Sequence, residues 1–108
     1  MEKQKSIYRS KSRQYVKIDT KIYYTNMPME EVAVLSYMLT KPDDWDFRIP
    51  HMVYETKWSE NRIRKSIKGL QEKGYIYIHT FKNEKGRFDS RYFVFENPSL
   101  NYFANEGV

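Results

Sequence analysis

The 108-residue sequence contains no cysteine. That absence excludes a disulfide framework, a thiolate metal site and a cysteine nucleophile together. Histidine occurs only as His51 and His79, on separate predicted elements and without ligand spacing, so no ordinary zinc site is readable. The four glycines, Gly69, Gly74, Gly86 and Gly107, are too scattered for a phosphate-cradling loop. No Ser-His-Asp or Cys-His arrangement is present. The sequence therefore points away from an enzyme and calls for no cofactor. Apolar runs last a few residues, far short of the ~20 needed to span a bilayer. The opening MEKQKSIYRSKSRQ lacks the apolar core of a signal peptide. These two absences predict a cytoplasmic protein with no membrane partner.

What remains is a composition of 40% hydrophobic and 31% charged residues, which fits a single globular domain. Aromatic residues make up 17%, with ten tyrosines, so rings supply much of the core volume.

Lysine and arginine total 19 against 14 aspartate and glutamate, a net charge of +5. The excess is segregated. Residues 1–18 hold six basic side chains and one acidic; residues 19–56 hold three basic and seven acidic. Residues 57–91 hold ten basic and four acidic. Two basic blocks thus flank an acidic one, as on a surface that meets a polyanion. Charge alone does not separate that reading from a merely solvated basic face.

Residues 1–14 read as a flexible basic arm. Arg9, Lys11 and Arg13 there can track a DNA minor groove or simply solubilise the end. Asp19 or Thr20 can cap a brief helical turn ending at Tyr24. PMEEVAVLSYMLT predicts a first helix from about Pro28 to Thr40, with Val32, Leu35, Tyr37, Met38 and Leu39 as its apolar stripe. Lys41-Pro42-Asp43-Asp44 stops it. Asp43, Asp44 and Asp46 form the one acidic cluster, read as turn punctuation rather than a metal site. Trp45-Asp46-Phe47-Arg48 alternates ring and polar group, which predicts a short strand with both rings in the core.

A second helix follows from Ile49-Pro50 to about Thr56, carrying Met52 and Val53 inward. Lys57-Trp58 makes a turn, where Trp58 can seat the next helix. Ser59 is the N-cap candidate of the third helix, SENRIRKSIKGLQEKG, ended by Gly74. Ile63, Ile67 and Leu70 share one face. At ~100° per residue, Asn61, Lys65 and Lys68 then fall opposite that anchor, with Arg62 and Arg64 on its flanks. Tyr75–Phe81 and Arg91–Phe95 predict a β-hairpin across Asn83–Arg87. Tyr75, Tyr77, Tyr92 and Tyr102 read as half-buried with wet hydroxyls. Residues 99–108 read as a loose tail from which Tyr102 and Phe103 can dock back.

The order is helix, short strand, helix, turn, basic helix, hairpin. It predicts an α+β fold, a winged helix-turn-helix with a three-helix core and a C-terminal hairpin wing over residues 15–98. The stretch KPDDWDFRIPHMVYETKWSENRIRKSIKGLQEKGYI, a GRF-containing hairpin and YFVFENP carry a closer resemblance. Together they resemble the N-terminal winged-helix domain of DnaD-like replication initiators, the replisome organisers of phages and plasmids of low-GC Gram-positive bacteria. The resemblance implies a phage- or plasmid-type DNA-binding protein acting in replication or transcriptional regulation. Those initiators usually continue into a second domain, whereas this chain ends ten residues after Pro98, which implies an accessory or regulatory factor.

In such a reader Ser59, Asn61, Arg62, Arg64, Lys65 and Lys68 would lie at the major groove. Asn61 suits adenine, Arg62 or Arg64 suits guanine, and Lys65 and Lys68 suit phosphates. Lys82, Lys85 and Arg87 on the wing either touch the backbone or minor groove, or only hydrate the hairpin end. The expected partners are double-stranded DNA, a second copy of the chain in a homodimer, and a replication or transcription protein. The first helix, through Val32, Leu35 and Leu39, or the aromatic tail is the expected protein-contact surface. The rival reading is a protein-interaction module, such as a phage inhibitor or adaptor, that grips an acidic partner with the same basic face.

Overall fold

The computed structural model describes residues 16–105. Three helices precede an antiparallel hairpin: α1 (Met29–Leu39), α2 (Ile49–Thr56), α3 (Glu60–Glu72), β1 (Ile76–Lys82) and β2 (Phe88–Val94). The architecture is α+β. A 3₁₀ turn at Thr20–Tyr24 leads in, and two more, at Pro98–Leu100 and Tyr102–Asn105, follow the hairpin.

Local chemistry sets most boundaries. The Asp19 carboxylate accepts from the Lys21 N–H at 2.9 Å and starts the first turn. The Asp19 N–H in turn donates to the Glu96 carboxylate, tying the start of the described chain to the residues after β2. Pro28 stands at the N-cap of α1, and Glu30 and Glu31 complement the helix dipole. Lys57 ends α2 in the left-handed region, at φ 62°, and its N–H donates to Val53 at 2.8 Å. Ser59 then caps α3 by accepting from the Arg62 N–H. Gly74 ends α3 at φ 88°. Its N–H reaches Gln71 at 3.1 Å while the Tyr75 N–H reaches Leu70 at 2.9 Å, the paired bonds of a Schellman motif.

The core lies where α1 and α3 cross and the hairpin closes over them. Val34, Leu35 and Met38 meet Ile63, Ile67 and Leu70, with Ile22, Met52, Phe47, Tyr75 and Ile76 completing the cluster. The α1 stripe differs from the sequence expectation. It runs Glu31, Val34, Leu35, Met38, while Val32 and Leu39 are half-buried. The first position of the stripe is a carboxylate, which an apolar pattern does not show. The Glu31 carboxylate accepts from Lys73 at 2.6 Å and lies flat against Gly69, where a Cβ would come within 2.3 Å of its oxygen. Glycine inside α3 costs about 1 kcal/mol of helix propensity relative to alanine. The close approach of Glu31 is what that position accommodates. Leu35 is fully buried, so the expected contact surface on α1 is corrected: Leu35 belongs to the core and faces no partner.

The segment Trp45–Arg48 forms no strand, a second correction. Its four residues join a turn at Asp43–Asp44 directly to α2, and β2 pairs with β1 alone among the described strands. Side chains dock the segment instead. The Phe47 ring is buried, 5.8 Å from the Tyr92 ring, as expected. The Trp45 ring is exposed instead of joining the core, and it sits beside His51 with the Lys41 ammonium 4.7 Å from its centroid. Lys41 also pairs with Glu55 at 2.6 Å, and the Tyr37 hydroxyl donates to the same carboxylate. Burial and that carboxylate push the Tyr37 hydroxyl well above the usual phenol range. Trp58 packs edge-on to Tyr37, 6.1 Å away, beside Ile63 of α3.

The strands pair from Ile76↔Val94 to Lys82↔Phe88. The returning strand thus starts at Phe88, three residues before the predicted start. Ile76, Ile78, Tyr92 and Val94 face the helices. On the opposite face Tyr77 stacks on Phe103 at 4.0 Å and 6°. Asn101 is buried and donates to the Gly74 carbonyl at 2.8 Å, so the predicted tail is docked through Phe103. Tyr75 is buried, Tyr77 and Tyr92 are half-buried, and Tyr102 is exposed rather than half-buried, with one side of its ring beside Phe103 at 4.3 Å.

Candidate nucleic-acid interface

The polar face of α3 is open. Ser59, Asn61, Arg62, Arg64, Lys65 and Lys68 are all exposed, while Ile63, Ser66, Ile67 and Leu70 are buried behind them. Arg62 and Arg64 are tethered on opposite flanks. The Arg62 Nε donates to Glu30 of α1 at 3.0 Å, and its Nη2 binds the same oxygen. Arg62, with a smaller contribution from Lys65, holds the Glu30 carboxyl below its ordinary range. Arg64 pairs with Glu60 one turn earlier, at 3.0 Å. Among the described residues, neither Lys65 nor Lys68 has a carboxylate partner. The centre of the face therefore carries two ammonium groups in no ion pair with a described carboxylate, on the same side of α3 as Asn61. An open cavity of about 510 Å³ lies on the Arg62 flank, between Met29 and Ala33 of α1 and Trp58 and Ile63.

The hairpin borders the other flank. The Tyr92 hydroxyl is pushed up by burial, and the charges of Arg64 and Arg48 pull it partly back. Lys82, Lys85 and Arg87 are exposed at the hairpin end. Their turn is closed by Asn83, whose side chain accepts from the N–H groups of Lys85 at 3.0 Å and Arg87 at 3.1 Å, and by Gly86 at φ 76°. Asp89 of β2 takes its cationic partner from outside the hairpin. Arg48 grips it with two bonds, 2.8 and 3.3 Å, while the Arg48 Nε donates to Asp46 at 3.1 Å. This fork bonds the start of α2 to the hairpin.

The Arg48 guanidinium, with the Ser90 N–H, holds the Asp89 carboxyl below its ordinary 3.8. Because the folded value is depressed, the bridge is present above the ordinary carboxylate range and is lost as pH falls through the lowered value. An NMR titration of Asp89 is expected to give a midpoint below 3.8 that returns toward it in Arg48→Ala. An unchanged midpoint in that variant removes the proposed link between α2 and the hairpin.

Two contributors to this surface escape the sequence pattern. Arg48 is isolated from the basic blocks and acts through a residue 41 positions away. Phe88 is 75% exposed beside Lys82, although it opens a strand of otherwise half-buried rings. The arm residues Arg9, Lys11 and Arg13 lie outside the described residues. Among the described residues, no cluster of three or more His, Asp or Glu side chains could hold a metal, and no helix is long and apolar enough to cross a membrane. No protein-family model matches the chain, and no curated protein is similar enough to count as a match.

Proposed function

We propose that the protein is a winged helix-turn-helix reader of double-stranded DNA, with α3 as recognition helix and the β1–β2 hairpin as wing. One observation carries this reading: Asn61, Lys65 and Lys68 stand exposed, without carboxylate partners among the described residues, directly opposite the buried anchor of α3. A three-residue turn between α2 and α3, and a cationic hairpin immediately after, support it. α3 enters the major groove. Asn61 pairs with adenine, Lys65 and Lys68 meet phosphates, and Arg64 exchanges Glu60 for a guanine edge. Lys82, Lys85 and Arg87 follow the adjacent backbone, and the arm through Arg9, Lys11 and Arg13 extends the contact.

The resemblance to replication initiators rests on the motifs quoted above. It supports a role in phage- or plasmid-type replication or transcription control, and the cytoplasm is the location we infer for it. One such domain reads few base pairs, so we infer a homodimer on a palindromic or repeated site. Selection from a random duplex pool, followed by anisotropy at several salt concentrations, tests the reading. Five phosphate contacts give a log–log salt slope of about −4.5, roughly a 500-fold loss between 50 and 200 mM salt.

A second reading has one observation in its favour. Glu30 and Glu60 already occupy Arg62 and Arg64, so carboxylates fit this face. An acidic protein partner would use the same groups. Failure to retain any duplex at low salt replaces the DNA reading with that one.

A further inference from the structure

Phe88 stands at the end of a rigid hairpin, and the hairpin does not need its ring. The turn is closed by the Asn83 N–H to Arg87 at 2.8 Å, by the Gly86 N–H to Asn83 at 2.9 Å, and by the Asn83 side chain. None of these bonds involves Phe88. Its ring is 75% exposed, and the Lys82 ammonium lies 5.5 Å from its centroid. An apolar ring held in water at a closed turn, with Lys82 beside it and Lys85 and Arg87 exposed in the same turn, has the chemistry of a wedge for a polyanion with an apolar interior. Base-paired nucleic acid is such a ligand: phosphates outside, stacked bases within.

The ring also faces the correct way. Side chains alternate along a strand, so Phe88, Ser90 and Tyr92 share one face of β2. Tyr92 on that face packs against the helical core, its ring 5.8 Å from that of Phe47. Phe88 projects from the same face about 14 Å further out along the strand. Phe88 is thus on the helix-facing side of the hairpin, at the end away from the core.

We propose that Phe88 enters the base stack of the bound duplex at a single step, while Lys82, Lys85 and Arg87 hold the phosphates on either side. This rests on the DNA reading of α3 and deepens it: the wing deforms the site as well as gripping it. Flexible pyrimidine–purine steps are the favoured points of entry, because they unstack most readily.

The test uses the full chain and the selected duplex, with 2-aminopurine placed at each step in turn. Unstacking raises the fluorescence of the probe. The wild-type protein is expected to raise it at one step, Phe88→Trp to keep that rise, and Phe88→Ala to abolish it. Loss of one stacking contact weakens Phe88→Ala binding by about tenfold. Its salt slope stays unchanged, because the ring carries no charge. Its melting temperature also stays unchanged, because the ring is exposed. Tight wild-type binding with no fluorescence change at any step overturns the wedge and leaves the DNA reading standing. So does weaker Phe88→Ala binding with the fluorescence rise intact. Absence of any duplex binding by the wild type overturns both.

Discussion

Replacing Lys65 and Lys68 together by glutamate is expected to lower duplex affinity by at least about a hundredfold near 100 mM salt, with folding unaffected. Each lysine that neutralises a phosphate adds about 0.9 to the log–log salt slope, so losing both makes the slope shallower by about 2. The glutamates add repulsion at the closest approach of the backbone. Both side chains are exposed, so neither substitution opens the core. The helix keeps its anchor in Ile63, Ile67 and Leu70 and its cap in Ser59. Circular dichroism and the melting temperature therefore stay close to wild type. Substituting Arg62 has a smaller effect, because its guanidinium already bonds Glu30 and must leave that partner before it meets a phosphate. This ranking separates the two flanks of α3 from its centre. Anisotropy on the selected site measures it directly. Affinity within threefold of wild type for the doubly reversed variant ends the recognition-helix assignment.

The features legible in the sequence are those whose physics is local. Ser59 and Gly74 mark the ends of α3 because capping involves neighbours within a few residues. Asn83 and Gly86 mark the hairpin turn for the same reason. The face of α3 is legible because its buried and exposed residues obey one helical period. What failed depends on pairing across the chain. Trp45–Arg48 has the alternation of a strand, yet it pairs with no strand among the described residues, and only Phe47 reaches the core. Glu31 reads as a surface acid, and its burial follows from Lys73 and Gly69 on another helix. Arg48 and Asp89 are unremarkable apart. Their bond exists because α2 and the hairpin are brought together by the core. Phe88 lies before the predicted returning strand, and only the structure shows that it opens β2, paired with Lys82, with its ring exposed. The candidate site was thus readable on α3 and along the charged hairpin, and unreadable where two elements meet.

Leu70→Ala is expected to destabilise the protein by about 3 kcal/mol, within the 2–5 kcal/mol typical of a leucine truncated in a packed core. Leu70 has no exposed surface and packs among Leu35, Ile67 and Tyr75 in the same cluster. Removing its branched end leaves a cavity that α1 cannot fill, because Glu31 is fixed on Lys73 one turn away. A small domain has only about 5–15 kcal/mol of total stability. The melting temperature should therefore drop by roughly 10–25 °C, at 4–8 °C per kcal/mol. The same substitution touches no residue of the open face. Measured in the cold, where the variant is still folded, duplex affinity should stay within about threefold of wild type. The lysine pair and the leucine thus have opposite signatures, binding without stability and stability without binding, because one helix turns its anchor inward and its charge outward. A melting shift of only a few degrees would mean that α3 is not seated on Leu70. Strong loss of binding by the folded variant would mean that the seat also sets the rotation at which Lys65 and Lys68 are presented.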